Sequence, residues 1–449
     1  MKNKLLLLGQ LAGVVLLVTA CAGESNFPTA TGSATFRFVN AIPTSPSIAL
    51  LIEQRAIGTA DYKGISAPAE FDDLDYTFNF ETLLAGELTR TRVASKFVDT
   101  QIDLAYTFLV SGDLATPTIT LWEAPRREWV GTETVFEMRF AHAAETLGTV
   151  DVYFQAPGVV PVLGNQIASV QFTNVSATVE LPSGNYVLII TAPNDPSVVL
   201  FTSASFAPVA AAGYTIALFD VDANDVDPIS VRQFADNGGT LRIVDVNSTP
   251  EVRFVHASSN LGTSDVYTDD MLMDQILTNH MYRDVTAELP LAAKAYSLTY
   301  TAAGNVGSIL LEDDILIAAG IRYEYYAIGE IGALGGFLWQ PDRRSVETLV
   351  KFSFLHTATN HNSVDLYIVP AGGDIATSFP RFSNLTIGSA PVSVDLRAEN
   401  LELYLTTNAV KTVIAGPIAI SPALGDVVSY TSYDNVDPAI ADVVEIPLP

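Results

Sequence analysis

Three histidines each stand nine residues ahead of an aspartate: His142 before Asp151, His256 before Asp265 and His356 before Asp365. An imidazole and a carboxylate brought together could exchange a proton as an acid/base pair, or supply two ligands to a metal ion. Two features oppose catalysis. The pair recurs in three places, as a structural element does and a single active site does not. Nor does a nucleophile or second histidine recur beside it. The pairs therefore read as structural, each His closing its strand and bonding the Asp or the backbone of the loop between them. His280 and His361 fall outside the pattern and receive no role.

The second candidate is acidic. Asp220, Asp222, Asn224, Asp225 and Asp227 alternate along one loop, and Asp434 and Asp437 repeat its end. Clustered oxygen ligands suit Ca²⁺, which extracellular modules bind weakly, at about 10⁻⁴–10⁻³ M. Asp225 stands where an EF-hand needs its glycine, however, and no Glu closes the loop. Asp and Asn also favour turns through local hydrogen bonds, and the turn is the preferred reading. There is no G-x-S-x-G, no H-E-x-x-H and no phosphate-cradling glycine loop. A non-enzymatic chain is expected, with no cofactor unless Ca²⁺.

The elements that position these residues repeat with them. Met138-Arg139-Phe140-Ala141-His142, Val252-Arg253-Phe254-Val255-His256 and Phe352-Ser353-Phe354-Leu355-His356 each precede an Asp-Val-Tyr or Asp-Leu-Tyr strand. A decayed copy, Phe36-Arg37-Phe38-Val39-Asn40, puts Ala49 at the aspartate's offset. Four copies make a tandem array. Phe-x-Phe-x-His alternation puts those side chains on one face of a strand. The chain is 49% hydrophobic and only 16% charged, which suits strands half buried on a pleated surface. The expected fold is all-β: four tandem antiparallel β-sandwiches, Ig-like or transthyretin-like, over 35–130, 131–247, 248–346 and 347–449. Parallel pairing would need crossover helices, and none is legible. Sandwiches on linkers are expected to unfold semi-independently, with Gly238-Gly239 a candidate hinge. Arg126-Arg127 and Arg343-Arg344 read as exposed linker arginines, with an interdomain brace as the alternative.

Val252-Arg253-Phe254-Val255-His256-Ala257-Ser258 followed by Asp265-Val266-Tyr267 resembles the opening of the bacterial extracellular domain of unknown function 4397 family. The resemblance is good in the third and second repeats, fair in the fourth and poor in the first, and would cover nearly all of the mature chain. Ser259-Asn260-Leu261 and Ala144-Glu145-Thr146 depart from the family's Pro-Asp-Ala loop. The resemblance implies β-sandwich modules on exported proteins and carries no catalytic residues.

Residues 1–20 read as a lipoprotein signal peptide: Lys2 and Lys4, an apolar run from Leu5 to Val18, and small residues before Cys21. This resembles a lipobox, with Cys21 the lipidated residue and 21–34 a flexible tether. By resemblance to Gram-negative lipoproteins, in which Asp after the Cys favours inner-membrane retention, Ala22 implies the outer membrane, on its periplasmic or surface face, if the source is Gram-negative. Loss of Lys2 and Lys4 takes the net charge from −27 to −29, which repels nucleic acid and anionic lipid. Membrane contact is expected through the lipid alone. The expected function is a cell-envelope array binding a protein or envelope polymer; the alternatives are a passive spacer, or a Ca²⁺-dependent or glycan-binding module. Trp122, Trp129 and Trp339 all fall near seams, which favours a protein partner over a sugar.

Overall fold

The computed structural model describes residues 29–330 and 332–448, so Cys21 and the leader lie outside the described residues. Every regular element among them is a β-strand, and no helix is long and apolar enough to cross a membrane. The strands form eight sheets, two to a sandwich. In the first sandwich they are β1 (Ser33–Asn40), β2 (Ile48–Ile52), β3 (Arg55–Ala60), β4 (Ala69–Asp72), β5 (Tyr76–Thr82), β6 (Thr91–Val98), β7 (Leu104–Ser111) and β8 (Thr118–Pro125). One sheet has the order β4-β1-β7-β8 and the other β3-β2-β5-β6. Phe36 and Phe38 of β1 enter the core between them, against Phe78, Phe80 and Phe108. The plan recurs behind the first strands Val135–His142, Glu251–His256 and Val350–His356.

One pair in each sandwich departs from the antiparallel expectation. β1 runs parallel to β7, with Phe38 opposite Phe108, and the equivalent strands do the same in the other three copies. No helix is required, because the chain crosses the opposite sheet between the two strands and that crossing supplies the long connection a parallel pair needs. Gly238-Gly239 is not a hinge. These glycines turn a hairpin between Ser230–Ala235 and Thr240–Ile243, which extends one sheet of the second sandwich to five strands.

The sandwiches are not beads on linkers. Side chains alternate across a strand, so while Phe36 and Phe38 face inward, Val39 leaves by the other face. There Val39, Ala41, Leu109 and Trp122 of the first sandwich pack on Ala141, Ala217, Phe219 and Phe234 of the second. Val255, Ala257 and Tyr326 of the third meet Leu355, Tyr433 and Ile446 of the fourth in the same way. Register shows the correspondence: Trp122 lies opposite Thr107, and Trp339, at the edge of the second interface, opposite Glu324. Tyr62 meets Phe219 edge-on at 6.1 Å, and Tyr282 meets Tyr433 at 5.7 Å. The repeating unit is thus a face-to-face pair of sandwiches, present twice. Each fully buried large side chain in these interfaces contributes up to about 1.5–3 kcal/mol, so the expectation of semi-independent sandwiches gives way to two interlocked pairs.

Of the arginines that read as ordinary linker residues, Arg126 and Arg127 bond Glu70 and Glu133, Glu137 and Glu180 in the sandwiches they flank, while the Arg344 side chain joins the two pairs. Arg343 is buried, bonded to Glu288 and, at 3.3 Å, to Glu324. Arg344 donates to the carbonyls of Pro43 at 3.0 Å and Ser45 at 2.8 Å in the first sandwich. Arg242 of the second sandwich donates to the Gly320 carbonyl of the third at 2.6 Å. This is the brace, and its contacts span up to 301 positions of sequence.

Candidate functional site

The histidines and aspartates of the repeat lie in different sheets of their sandwiches, and no hydrogen bond joins them among the described residues. Each His ends the first strand, pointing inward, and binds the loop that follows. His142 Nε2 meets the Gly148 carbonyl at 3.0 Å, His256 Nε2 that of Gly262 at 2.7 Å, and His356 Nε2 that of His361 at 2.6 Å. All three rings are buried, and burial lowers all three pKa values, that of His356 to about 4. His280 lies 5.4 Å from His256 between ring centroids, and burial, then His256, push it to about 4. In the first sandwich Asn40 takes the same place and bonds Ser45 and the Ala60 carbonyl.

The aspartates clamp turns in the second sheet. Asp265 accepts from Asn279 N at 2.9 Å and Gly304 N at 2.8 Å. Asp365 accepts from Asn384 N at 2.8 Å and Ala409 N at 3.0 Å, and Asp151 from Asn194 N at 2.7 Å. All five donors have positive φ, between 52° and 72°. A buried carboxylate receiving two amides holds these left-handed turns.

The acidic loops are occupied by protein groups. Asp220 accepts from Glu145 N at 2.7 Å and Thr146 N at 3.0 Å; Asp434 accepts from Asn360 N at 3.0 Å and Thr359 Oγ1 at 2.8 Å. Both therefore cap the loop behind the repeat's His. Lys63 reaches across from the first sandwich to Asp222 at 3.0 Å and to Asp225, and Arg242 binds Asp227 at 2.9 Å. Asn224 bonds Asp342 and Arg343, while Asp437 caps its own turn through Ala439 N at 2.9 Å. Among the described residues no three His, Cys, Asp or Glu side chains converge as metal ligands.

Two features escaped the sequence reading. The first is a cleft of about 290 Å³ between the first and second sandwiches, lined by Arg37, Arg139, Asp236, Trp129, Tyr106 and Tyr214 among others. Arg37 donates to Asp236 at 2.9 Å, to the Ala235 carbonyl at 3.1 Å and to Thr107 at 3.1 Å. Burial lowers its pKa against the pull of Asp236, and Arg139 lowers it further. Arg139 is 8% exposed, and its nearest carboxylate oxygen is that same Asp236 oxygen, at 3.6 Å. The alternation in Arg-Phe-Ala-His could have placed Arg139 on the outer face, but not the partner that covers it.

The second feature is a set of loop tips. The connection after the second strand exposes Val160 and Leu163 in the second sandwich, Met271 and Met273 in the third, and Phe379, at 92%, in the fourth. The first sandwich closes the same connection with the two residues Glu53 and Gln54.

The family described as "Domain of unknown function (DUF4397)" matches residues 34–153 and 250–367. Each match opens at the first strand of the first sandwich in a pair and ends on Tyr153 or Tyr367, in the second strand of its partner. The remainders of the second and fourth sandwiches, expected to share the resemblance, lie outside both matches. No curated protein matches the chain.

Proposed function

The chain belongs to the DUF4397 family, and from that premise we propose a non-enzymatic binding scaffold of the cell envelope, lipid-anchored through Cys21 and contacting a protein partner. The observation that carries this reading is the recurrence of exposed apolar tips on one loop in three sandwiches, at Leu163, Met273 and Phe379. A large apolar side chain held in water at one topological position favours contact with another surface. The interlocked pairs would present those tips without the ordering cost of a flexible string. A net charge of −27 argues against nucleic acid as the partner.

Photo-crosslinking residues placed at Leu163, Met273 and Phe379 in the native envelope test the reading. Discrete protein adducts are expected at these sites and not at the exposed Asp195, and Val160→Ser and Met271→Ser should weaken them. Labelling no different from that at Asp195 would make the chain a passive spacer. Anchoring has its own test: Cys21→Ser should move the protein from the membrane fraction to the soluble one.

A further inference from the structure

We propose that the cleft between the first and second sandwiches binds a small organic carboxylate, gripped by the Arg139 guanidinium with its flat apolar body against Trp129. The first ground is an unfilled donor set. Arg139 is buried to 8% exposure, and none of its guanidinium donors makes a hydrogen bond among the described residues. The one carboxylate near it, Asp236, is 3.6 Å away and already bonded by Arg37 at 2.9 Å. Two guanidinium groups thus share one half-exposed carboxylate in the lining of the cleft. These donors are open to the cleft, where a ligand carboxylate would accept two of them in the planar geometry the fork favours.

The second ground is the internal comparison that duplication provides. Arg139 lies opposite Thr215 in the parallel register, and Ser353 lies opposite Ser429 at the equivalent place in the second pair. That pair closes in the same face-to-face manner with a serine, so the fold does not call for an arginine there. The space differs too. The corresponding cleft of the second pair, lined by Ser353 and Trp339, holds about 90 Å³ against about 290 Å³ in the first. The larger volume approaches the lower end of small-molecule sites. Trp129 supplies an aromatic ring to the lining of the cleft, with Arg127, which lines it too, over that ring at 4.0 Å. Such a lining selects a carboxylate on a flat ring over a bare inorganic anion.

Benzoate and inorganic phosphate, titrated separately into the mature full-length chain, test the assignment by calorimetry and tryptophan fluorescence. One benzoate per chain is expected, with a fluorescence change that Trp129→Phe removes while binding persists. Arg139→Ser, which installs the second pair's residue, should weaken benzoate at least about tenfold without changing the melting profile. Arg139→Lys keeps the charge but loses the fork, and should fall between the two. The proposal is overturned if wild type does not bind benzoate, if phosphate binds more tightly, or if Arg139→Ser binds as wild type. Should Arg139→Ser fail to fold, undiminished affinity in Arg139→Lys overturns it instead.

Discussion

Arg253 donates through Nη1 to the backbone carbonyl of Pro447, across the interface of the third and fourth sandwiches. Arg37 makes the same bond to Ala235, 3.1 Å away, between the first and second. Pro447 directly follows the closing strand Ala441–Ile446, and Ala235 is the last residue of the corresponding strand, Ser230–Ala235. The arginine of the repeated phrase is therefore an interdomain clasp in the odd-numbered copies, while the phenylalanine beside it serves its own core.

From this clasp, unfolding in two steps rather than four is expected. Arg253→Ala removes one of the two guanidinium partners of Glu324, which is itself 1% exposed and keeps Arg343 at 3.3 Å, and should cost roughly 1–3 kcal/mol in the second pair. Calorimetry of the full chain should show one transition, carrying both the third and fourth sandwiches, move down while the other stays. Four separable transitions, or a loss confined to the third sandwich, would refute the paired unit.

The buried histidines make the second pair acid-sensitive. Burial holds His280 and His356 at about 4, against an ordinary value of 6.5, and lowers His256 as well; the first pair has only His142. With the folded pKa below the unfolded one, the unfolded state takes up protons first. The stability is whole above about 6.5 and is lost as the pH falls towards 4. At about pH 5 each of His280 and His356 would subtract about 2 kcal/mol relative to neutral pH. The second pair's transition should therefore fall faster on acidification, and equal slopes for the two pairs would contradict this.

Asp265 and His256 should act separately. Asp265→Ala strands the amides of Asn279 and Gly304 in left-handed turns and should cost roughly 1–3 kcal/mol. His256→Ala frees a different loop at Gly262. A double-mutant cycle by denaturant titration should give a coupling energy within about 0.5 kcal/mol of zero; a coupling well above 1 kcal/mol would restore the His/Asp unit.

Calcium should leave stability unchanged. Lys63 and Arg242 already neutralise Asp222, Asp225 and Asp227, so a cation would have to displace them. Thermal melts with millimolar Ca²⁺ and with chelator should superimpose. A rise in melting temperature with Ca²⁺ that chelator reverses would show that the loop opens to a metal.

The sequence by itself determined the number of repeats and the inward face of each first strand, because Phe-x-Phe-x-His is a local alternation that needs no partner to be read. It also carried the turn chemistry of Asp222 and Asp437, which cap amides two residues on, but not that of Asp220 and Asp434, whose donors lie 74 to 75 residues away. Tertiary structure alone decided what the opposite face does. Val39 and Val255 are apolar at the parity that a solvated face would fill with polar residues, yet nothing nearby says whether a helix, a ligand or another sandwich covers them. Of the two partners read for each His, the Asp and the loop backbone between them, the structure has the loop backbone, because the chain changes sheets before it reaches the Asp. Arg343 and Arg344 looked like exposed linkers because their partners, Glu288 and the carbonyls of Pro43 and Ser45, lie 55 to 301 residues away. Local periodicity follows from backbone geometry, whereas the pairing of distant charges exists only once the sandwiches have met.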